Sequence, residues 1–222
     1  MRTSPFAALT SLFSMTDEQA MWRVQTHDDP AAFAQLVRRW EKPIQSLCAR
    51  MLGDIHRGED LAQESFTRIF AHRKNYEPGA KFSSYLWRIA LNLCYDELRR
   101  QRRRTTISLD DELDDGSPAF QEYADERPGP DADAVDAEQT AAVRDALLKL
   151  PESYRAVLVL RHYEDLKFRE IAAVLDIPEG TVKSRMAEAL TQLGRLLKPA
   201  LTEKPGSIAN PATKSRRERL MI

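Results

Sequence analysis

The sequence has few of the residues that build disulfide frameworks and metal centres. Its two cysteines, Cys48 and Cys94, lie far apart and form no CxxC pair. This excludes a disulfide scaffold and is typical of unpaired thiols in a reducing cytosol. Both cysteines fall in apolar helical patterns, so we expect them to be small core residues.

Motifs of catalysis are missing as well. The four histidines have no metal-ligand spacing along the chain: His27, His56, His72 and His162. There is no phosphate-binding loop, no nucleophile elbow and no HExxH sequence. We therefore expect no catalytic residue, no metal and no cofactor, and we do not expect an enzyme.

Long apolar runs are also absent. No stretch of 18 apolar residues occurs, which predicts a cytoplasmic protein without membrane insertion. Residues 1–14 carry a short apolar patch without a cleavage site, so we interpret them as an N-terminal extension rather than a signal peptide. Because "MTDEQAMW" from Met15 resembles a natural start, the sequence leaves open whether the protein begins at Met1 or Met15.

The formal net charge of −1 says nothing about partners, but the distribution of charge does. Residues 109–138 contain twelve acidic side chains and one basic side chain, a net charge of −11, and prolines interrupt any helix there. This composition predicts a flexible acidic linker at 105–136, because too little apolar surface is available for folding. The basic tail, 198–222, is predicted to be disordered.

Helical periodicity dominates on both sides of the linker, so the expected fold is all-α with two small helical domains. Asp29 and Pro30 are expected to cap and open one helix, which Pro43 should break or kink. A second helix should turn Leu61 and Ile69 inward. A third begins near Phe82 and ends in the basic sequence "RRQRRR".

The segment "KFREIAAVLDIPEGTVKSRMAEAL" predicts a helix-turn-helix. Asp176 lies where the chain must turn, and Pro178 presets the first turn of the second helix. The second helix of such a motif enters the DNA major groove. Its inward positions are Val182, Met186, Leu193 and either Ala189 or Leu190. Its outward donors, predicted to read base edges, are Thr181, Lys183, Ser184 and Arg185.

Three longer stretches resemble the extracytoplasmic-function sigma factors of bacterial RNA polymerase, the sigma-70 family of group 4. "LPESYRAVLVLRHYEDLKFREIAAVLDIPEGTVKSR" resembles their promoter-binding region 4. "GEDLAQESFTRIF" resembles the region 2 helix that docks on the polymerase clamp, and "KFSSYLWRIALNLCYDELRRQRRR" resembles the segment that melts and reads the −10 element. The resemblance implies a region 2 helical bundle at 15–104 and a region 4 helix-turn-helix at 137–197.

The resemblance also implies roles for individual residues. The core-polymerase contacts would be Asp60, Gln63, Glu64, Phe66 and Arg68. The −10 contacts would be Tyr76, Arg88, Asn92, Arg99, Arg100, Arg102 and Arg103, and the outward donors of the helix-turn-helix would read the −35 element. Arginines suit phosphates, Asn92 can read a base edge, and Tyr76 is the loop aromatic expected to meet an unstacked base. Trp87, by contrast, is expected to pack in the core.

The implied partners are promoter DNA and core RNA polymerase, which would be contacted through the clamp of its β′ subunit and its β flap. Whether an anti-sigma factor also binds this protein stays open. A 32-residue linker reaches at most about 110 Å, beyond the ~80 Å between two promoter elements some two dozen base pairs apart. One chain can therefore contact both elements. The alternative is a stand-alone helix-turn-helix regulator that does not join polymerase, because other regulators resemble the second half alone.

Overall fold

The structure, a computed structural model, describes residues 15–77, 79–108 and 133–202, and it is all helical over these ranges. The predicted all-α fold with two helical units is confirmed. The first unit contains α1 (Asp17–His27), α2 (Pro30–Leu52), α3 (Ile55–Ala71), a 3-10 turn (Arg73–Asn75) and α4 (Phe82–Ser108). The second contains α5 (Asp133–Leu148), α6 (Glu152–His162), α7 (Phe168–Leu175) and α8 (Glu179–Thr202).

The predicted linker is only partly within the described residues. Positions 105–108 continue α4, and positions 133–136 begin α5, so each helix extends four residues into the predicted linker. Helix ends set by periodicity alone commonly shift by a turn. The acidic segment 109–132, the extension 1–14 and the tail beyond residue 202 lie outside the described residues.

Helix α2 begins as its sequence predicts but does not break at Pro43. The Asp29 carboxylate caps it by accepting hydrogen bonds from two backbone N–H groups of the first turn, at 2.9 and 3.1 Å. Of the expected break or kink, the break does not occur, because α2 runs through Pro43 to Leu52. Proline removes one backbone hydrogen bond, whereas the buried side chains of Leu36 and Ile44 anchor the helix on both sides.

A glycine sets the close approach of α2 and α3. A Cβ atom on Gly58 would lie 2.7 Å from the backbone nitrogen of Ala49, closer than atoms can pack. The two helices can therefore meet backbone to backbone, and Leu61 and Ile69 turn inward as predicted. Cys48 is fully buried in the same unit, as expected for a small core residue, and so is Cys94.

The helix-turn-helix forms as the local sequence predicts. Asp176 ends α7 in the left-handed conformation, with φ of 55°. The Pro178 carbonyl then accepts the first hydrogen bonds of α8, from Thr181 and Val182. Of the two inward candidates that the sequence left open, Ala189 is buried, while Leu190 is 47% exposed.

The second unit packs on the first through a buried arginine. The Arg155 side chain on α6 is only 6% exposed, and its guanidinium donates to the Met51 carbonyl at the end of α2. The same guanidinium also donates to the carbonyls of Leu147 and Leu148 in the last turn of α5 and to that of Leu150 just after it. One side chain therefore ties α5, α6 and the first unit together.

Close packing surrounds this arginine. Gly53 follows α2 with φ of 80°, and a Cβ atom there would lie 2.7 Å from Leu148 Cδ1. Glycine thus provides both the left-handed turn and the space that Leu148 occupies. The apolar side chain of the second unit lies directly over the backbone of the first.

A carboxyl group at the edge of this interface has a raised pKa. Glu164 follows α6 and is largely withdrawn from water, which raises its pKa from 4.5 to about 7. Arg50 of α2 lies 3.8 Å away and only partly offsets the effect of burial. The Arg50 guanidinium also stacks over the Tyr163 ring at 4.1 Å.

We expect Glu164→Gln to remove a pH dependence of stability. Since the folded-state pKa of Glu164 is raised, its stabilising contribution is complete below about pH 4.5 and is lost as pH rises through about 7. At pH 8.5 the variant should have a free energy of unfolding about 1–3 kcal/mol higher than the parent, with little difference at pH 5. Urea unfolding at both pH values is the measurement. Glu41→Gln, at an exposed site on α2, is the matched control, and an equal gain at both pH values would contradict the assignment.

Candidate promoter and polymerase interfaces

One face of α4 carries a line of cations and an amide. Arg88, Asn92, Arg99 and Arg103 are spaced by four, seven and four residues, which places them on one side of a helix. All four side chains are exposed. At 100° per residue, Arg102 lies about 70° to one side of this line and Arg100 about 90° to the other. We call the line from Arg88 to Arg103 the α4 face.

The arginines at the end of α4 are held by carboxylates. Arg99 bonds Asp96 at 3.0 Å, and Arg100 lies 3.5 Å from Glu97. Glu97 is only 5% exposed and also pairs with Arg57 of α3 at 2.9 Å. The hydrogen bond from Arg57 lowers the pKa of Glu97 below its ordinary value, so this carboxylate stays charged and fixes α4 to α3.

The prediction that Tyr76 offers its ring to a base needs correction. Its side chain is 4% exposed, and its ring packs against Phe82 and Tyr85, with centroids 6.3 and 5.4 Å away. Its hydroxyl donates to the Ala80 carbonyl, and burial together with nearby carboxylates raises its pKa to about 12. Tyr76 therefore shapes the loop from within. Trp87 is 2% exposed, which confirms its predicted core position.

Helix α1 holds this loop, a role that the sequence reasoning missed. Gln25 Nε2 donates to the carbonyls of Lys74 and Tyr76, at 3.1 and 2.9 Å. Glu18 Oε1 accepts from the backbone N–H of Phe82 at 3.2 Å. The seven-residue spacing of Glu18 and Gln25 indicates one shared helix face, but nothing in the sequence identifies backbone groups as their partners.

At the start of α8, two of the four predicted donors are exposed to solvent. Lys183 and Ser184 are exposed, while Thr181 and Arg185 are half-buried. Lys183 Nζ pairs with the Glu179 carboxylate at 2.7 Å. The Ser184 hydroxyl donates to the Thr181 carbonyl at 3.0 Å, so it is already engaged within the helix.

Helix α3 presents a polar face away from the core. Asp60 and Gln63 are exposed, and Glu64 bonds Arg68 at 2.8 Å one turn along the helix. Phe66 is a second correction among the predicted contact residues. Its side chain is 6% exposed and lies in the core, so it supports the α3 face from the inside and does not project from it.

The described ranges contain neither a metal-binding cluster nor a membrane-spanning helix. No group of three or more His, Cys, Asp or Glu side chains there is placed to hold a metal ion. None of the helices in those ranges combines the length and apolar character that crossing a membrane requires.

Two family models match the chain in the order of its two units. "Sigma-70 region 2" matches residues 36–104, and "Sigma-70, region 4" matches residues 140–193. The first match contains α3 and the α4 face up to residue 104. The second contains Arg155 and the whole helix-turn-helix.

Similar proteins cover most of the chain. The extracytoplasmic-function (ECF) RNA polymerase sigma factor SigW of Bacillus subtilis is 34% identical over 170 residues, 77% of this chain and 91% of SigW. The RNA polymerase sigma-H factor of Pseudomonas aeruginosa is 31% identical over 191 residues, covering 84% of this chain and 96% of that protein. The structure of CnrH in complex with the cytosolic domain of CnrY shares the fold, with a TM-score of 0.60, 23% identity, and coverage of 82% of this chain and 97% of that one.

Proposed function

Because the chain belongs to the ECF sigma factors, we propose that its two helical units divide promoter recognition between them. As a member of this family, the protein binds core RNA polymerase and directs promoter-specific initiation of transcription. We assign residues 15–104 to region 2 and residues 137–197 to region 4. The observation that carries the assignment is one chain with two separate exposed polar helix faces suited to DNA, on α4 and at the start of α8.

The first unit is proposed to contact the −10 element. The arginines of the α4 face supply phosphate contacts, which position the protein and make its binding salt-dependent. Asn92 lies among them and can read a base edge. Arg100 and Arg102 extend the cationic surface on either side. Tyr76 is left out of this set as a stacking residue because its ring is buried.

The second unit is proposed to contact the −35 element. Lys183 and Arg185 supply charged donors near the start of α8, where a recognition helix meets base edges. Thr181 and Ser184 complete the predicted set. Glu188, on the exposed side of the same helix, accepts a hydrogen bond from Gln192 at 2.9 Å and would repel a phosphate on that side.

Lys183→Ala and Arg185→Ala should each weaken recognition of the −35 element by about 1–3 kcal/mol, the value of a good bidentate base contact. The measurement is holoenzyme binding to a promoter and to the same promoter with a scrambled −35 element. Arg195→Ala is the matched control, because it removes a cation from an exposed position on α8 outside the proposed contact set. Equal losses on both DNAs would mean that the two cations touch only the backbone.

Core polymerase is proposed to dock on α3. Asp60, Gln63, Glu64 and Arg68 form its exposed polar face, which would meet the clamp of the β′ subunit, while region 4 would meet the β flap. Phe66 supports this face from the core. We further propose that the protein works in the cytoplasm and has no catalytic activity of its own. An anti-sigma factor is the remaining candidate partner.

Reconstitution with core polymerase tests the whole proposal. Core polymerase with the protein should yield promoter-specific transcripts, and core polymerase alone should not. The alternative, a stand-alone regulator, predicts sequence-specific duplex binding without polymerase and no effect on core. This alternative is not favoured, because a regulator that acts without polymerase does not need a region 2 unit joined to its helix-turn-helix.

A further inference from the structure

An acidic side chain, Glu188, lies among the proposed DNA-reading donors of α8. It follows Thr181 by seven residues and Ser184 by four, so it lies within about 40° of both around the helix axis. Its side chain is exposed. The buried side chains of this part of the helix lie at least about 100° away from it: Val182, Met186 and Ala189. If α8 turns Thr181 and Ser184 toward DNA, it turns Glu188 toward DNA too.

A hydrogen bond orients the Glu188 carboxylate. Gln192 Nε2, one turn further along α8, donates to Glu188 Oε1 at 2.9 Å. Side chains four residues apart meet on one face of a helix, and this pair ties the carboxylate to a half-buried amide. The bond engages one carboxylate oxygen and limits the rotamers of the side chain, so the second oxygen can meet a ligand with little further loss of conformational entropy.

The chemistry of a carboxylate restricts what Glu188 can read, because it accepts hydrogen bonds and donates none. It would be repelled by a phosphate and by the acceptors of the major groove, which are N7 and O6 of guanine and O4 of thymine. Two amino groups offer donors there, N4 of cytosine and N6 of adenine. Adenine also presents its N7 acceptor beside the amino group, where it would face the carboxylate. Cytosine is therefore the base that suits Glu188 best.

We propose that Glu188 reads a cytosine of the −35 element by accepting a hydrogen bond from its N4 amino group, and so sets the base preference at one promoter position. The inference rests on the proposed function, which places α8 in the major groove. Lys183 and Arg185 supply the attraction for DNA that offsets the negative charge. Glu188 lies about 6 Å beyond Ser184 along the helix, close to two base steps of ~3.4 Å, so the cytosine is expected about two base pairs from the one that Ser184 faces.

Two roles for Glu188 predict different effects of removing its carboxylate. A carboxylate that only repels phosphates weakens binding to all sequences, so Glu188→Ala would tighten binding to every promoter alike. A carboxylate that reads cytosine contributes only where that base is present, so Glu188→Ala should weaken binding to the cytosine promoter alone. The preference between bases, rather than the overall affinity, therefore distinguishes the two roles.

The test measures this preference with holoenzyme formed from core polymerase and the full chain. Promoter fragments are first selected from a DNA pool randomised over both elements, and the selected promoter is then varied at each −35 position. We expect the parent to bind cytosine at one position at least tenfold more tightly than guanine. Glu188→Ala should reduce that ratio to about twofold, and Glu188→Arg should reverse it, because guanine N7 and O6 accept from a guanidinium.

Asp145→Arg on α5 is the control for charge, because it makes the same change at an exposed site of the second unit. It should keep the base preference of the parent. Uniformly tighter binding by Glu188→Ala, or an unchanged preference in Glu188→Arg, would overturn the inference while leaving the sigma function in place. A parent holoenzyme that selects no −35 sequence would overturn the −35 assignment and this inference together.

Discussion

Replacing Arg155 with methionine should lower the free energy of unfolding of the second unit by at least about 3 kcal/mol. Four carbonyl oxygens lose the arginine donor at once, those of Met51, Leu147, Leu148 and Leu150, although the Leu147 carbonyl also accepts from the Leu150 N–H. Each buried acceptor without a partner costs about 1–3 kcal/mol, and water reaches some of them after the change. Methionine keeps much of the apolar stem, so lost packing accounts for little of the effect.

The matched control for Arg155→Met is Arg161→Met on the same helix. Arg161 is partly exposed and bonds Asp165 at 3.1 Å, a surface pair worth at most about 1 kcal/mol. It donates to one carbonyl, that of Leu166 at 3.3 Å, against four for Arg155. Urea unfolding followed by circular dichroism measures both variants. Similar losses for the two would show that the carbonyl contacts of Arg155 contribute little, and the account of the interface would then be wrong.

Reversing the charges of Asp60 and Glu64 together should weaken binding to core polymerase tenfold or more, with the fold intact. Both side chains lie on the exposed face of α3, and like charges across an interface cost several kcal/mol. A tenfold loss is only about 1.4 kcal/mol, so even partial repulsion is measurable. Affinity for core polymerase, measured by fluorescence anisotropy of labelled protein, is the direct measurement.

A double charge reversal away from α3 controls for net charge. Glu41 on α2 and Glu77 before α4 are both exposed, and changing both to lysine alters the total charge by the same amount. This control should bind core polymerase within about twofold of the parent. Equal weakening by both double variants would mean that polymerase senses overall charge, and α3 would lose its assigned role.

The helix-turn-helix could be predicted from sequence because its determinants are local. The left-handed turn at Asp176, the opening proline and the buried positions all lie within about twenty residues. For Phe66, helical spacing alone predicts the buried position that the structure shows. It lies three residues before Ile69, on the buried side, whereas the resemblance to a contact motif assigns it to the polymerase interface. Tyr76 lies in a loop without periodicity, where aromatic character does not indicate which side the ring faces.

The docking of the two units could not be predicted in this way. Arg155 lies among apolar residues of α6, which is a weak signal that a cation is buried. Its bond to the first unit spans 104 positions of the chain and ends on a backbone carbonyl. Patterns of side-chain type carry no information about such an acceptor, so they do not predict how the two units pack.

Because Arg155 bonds backbone carbonyls, its contact with the first unit leaves a different trace in related sequences than a contact between two side chains would. Every residue type at position 51 presents the same carbonyl oxygen, so substitutions there need no compensating change on α6. A search for co-varying pairs between the two units would therefore miss their most buried polar contact. The signal to look for is one-sided: an arginine retained at this position across relatives whose opposing surface has diverged.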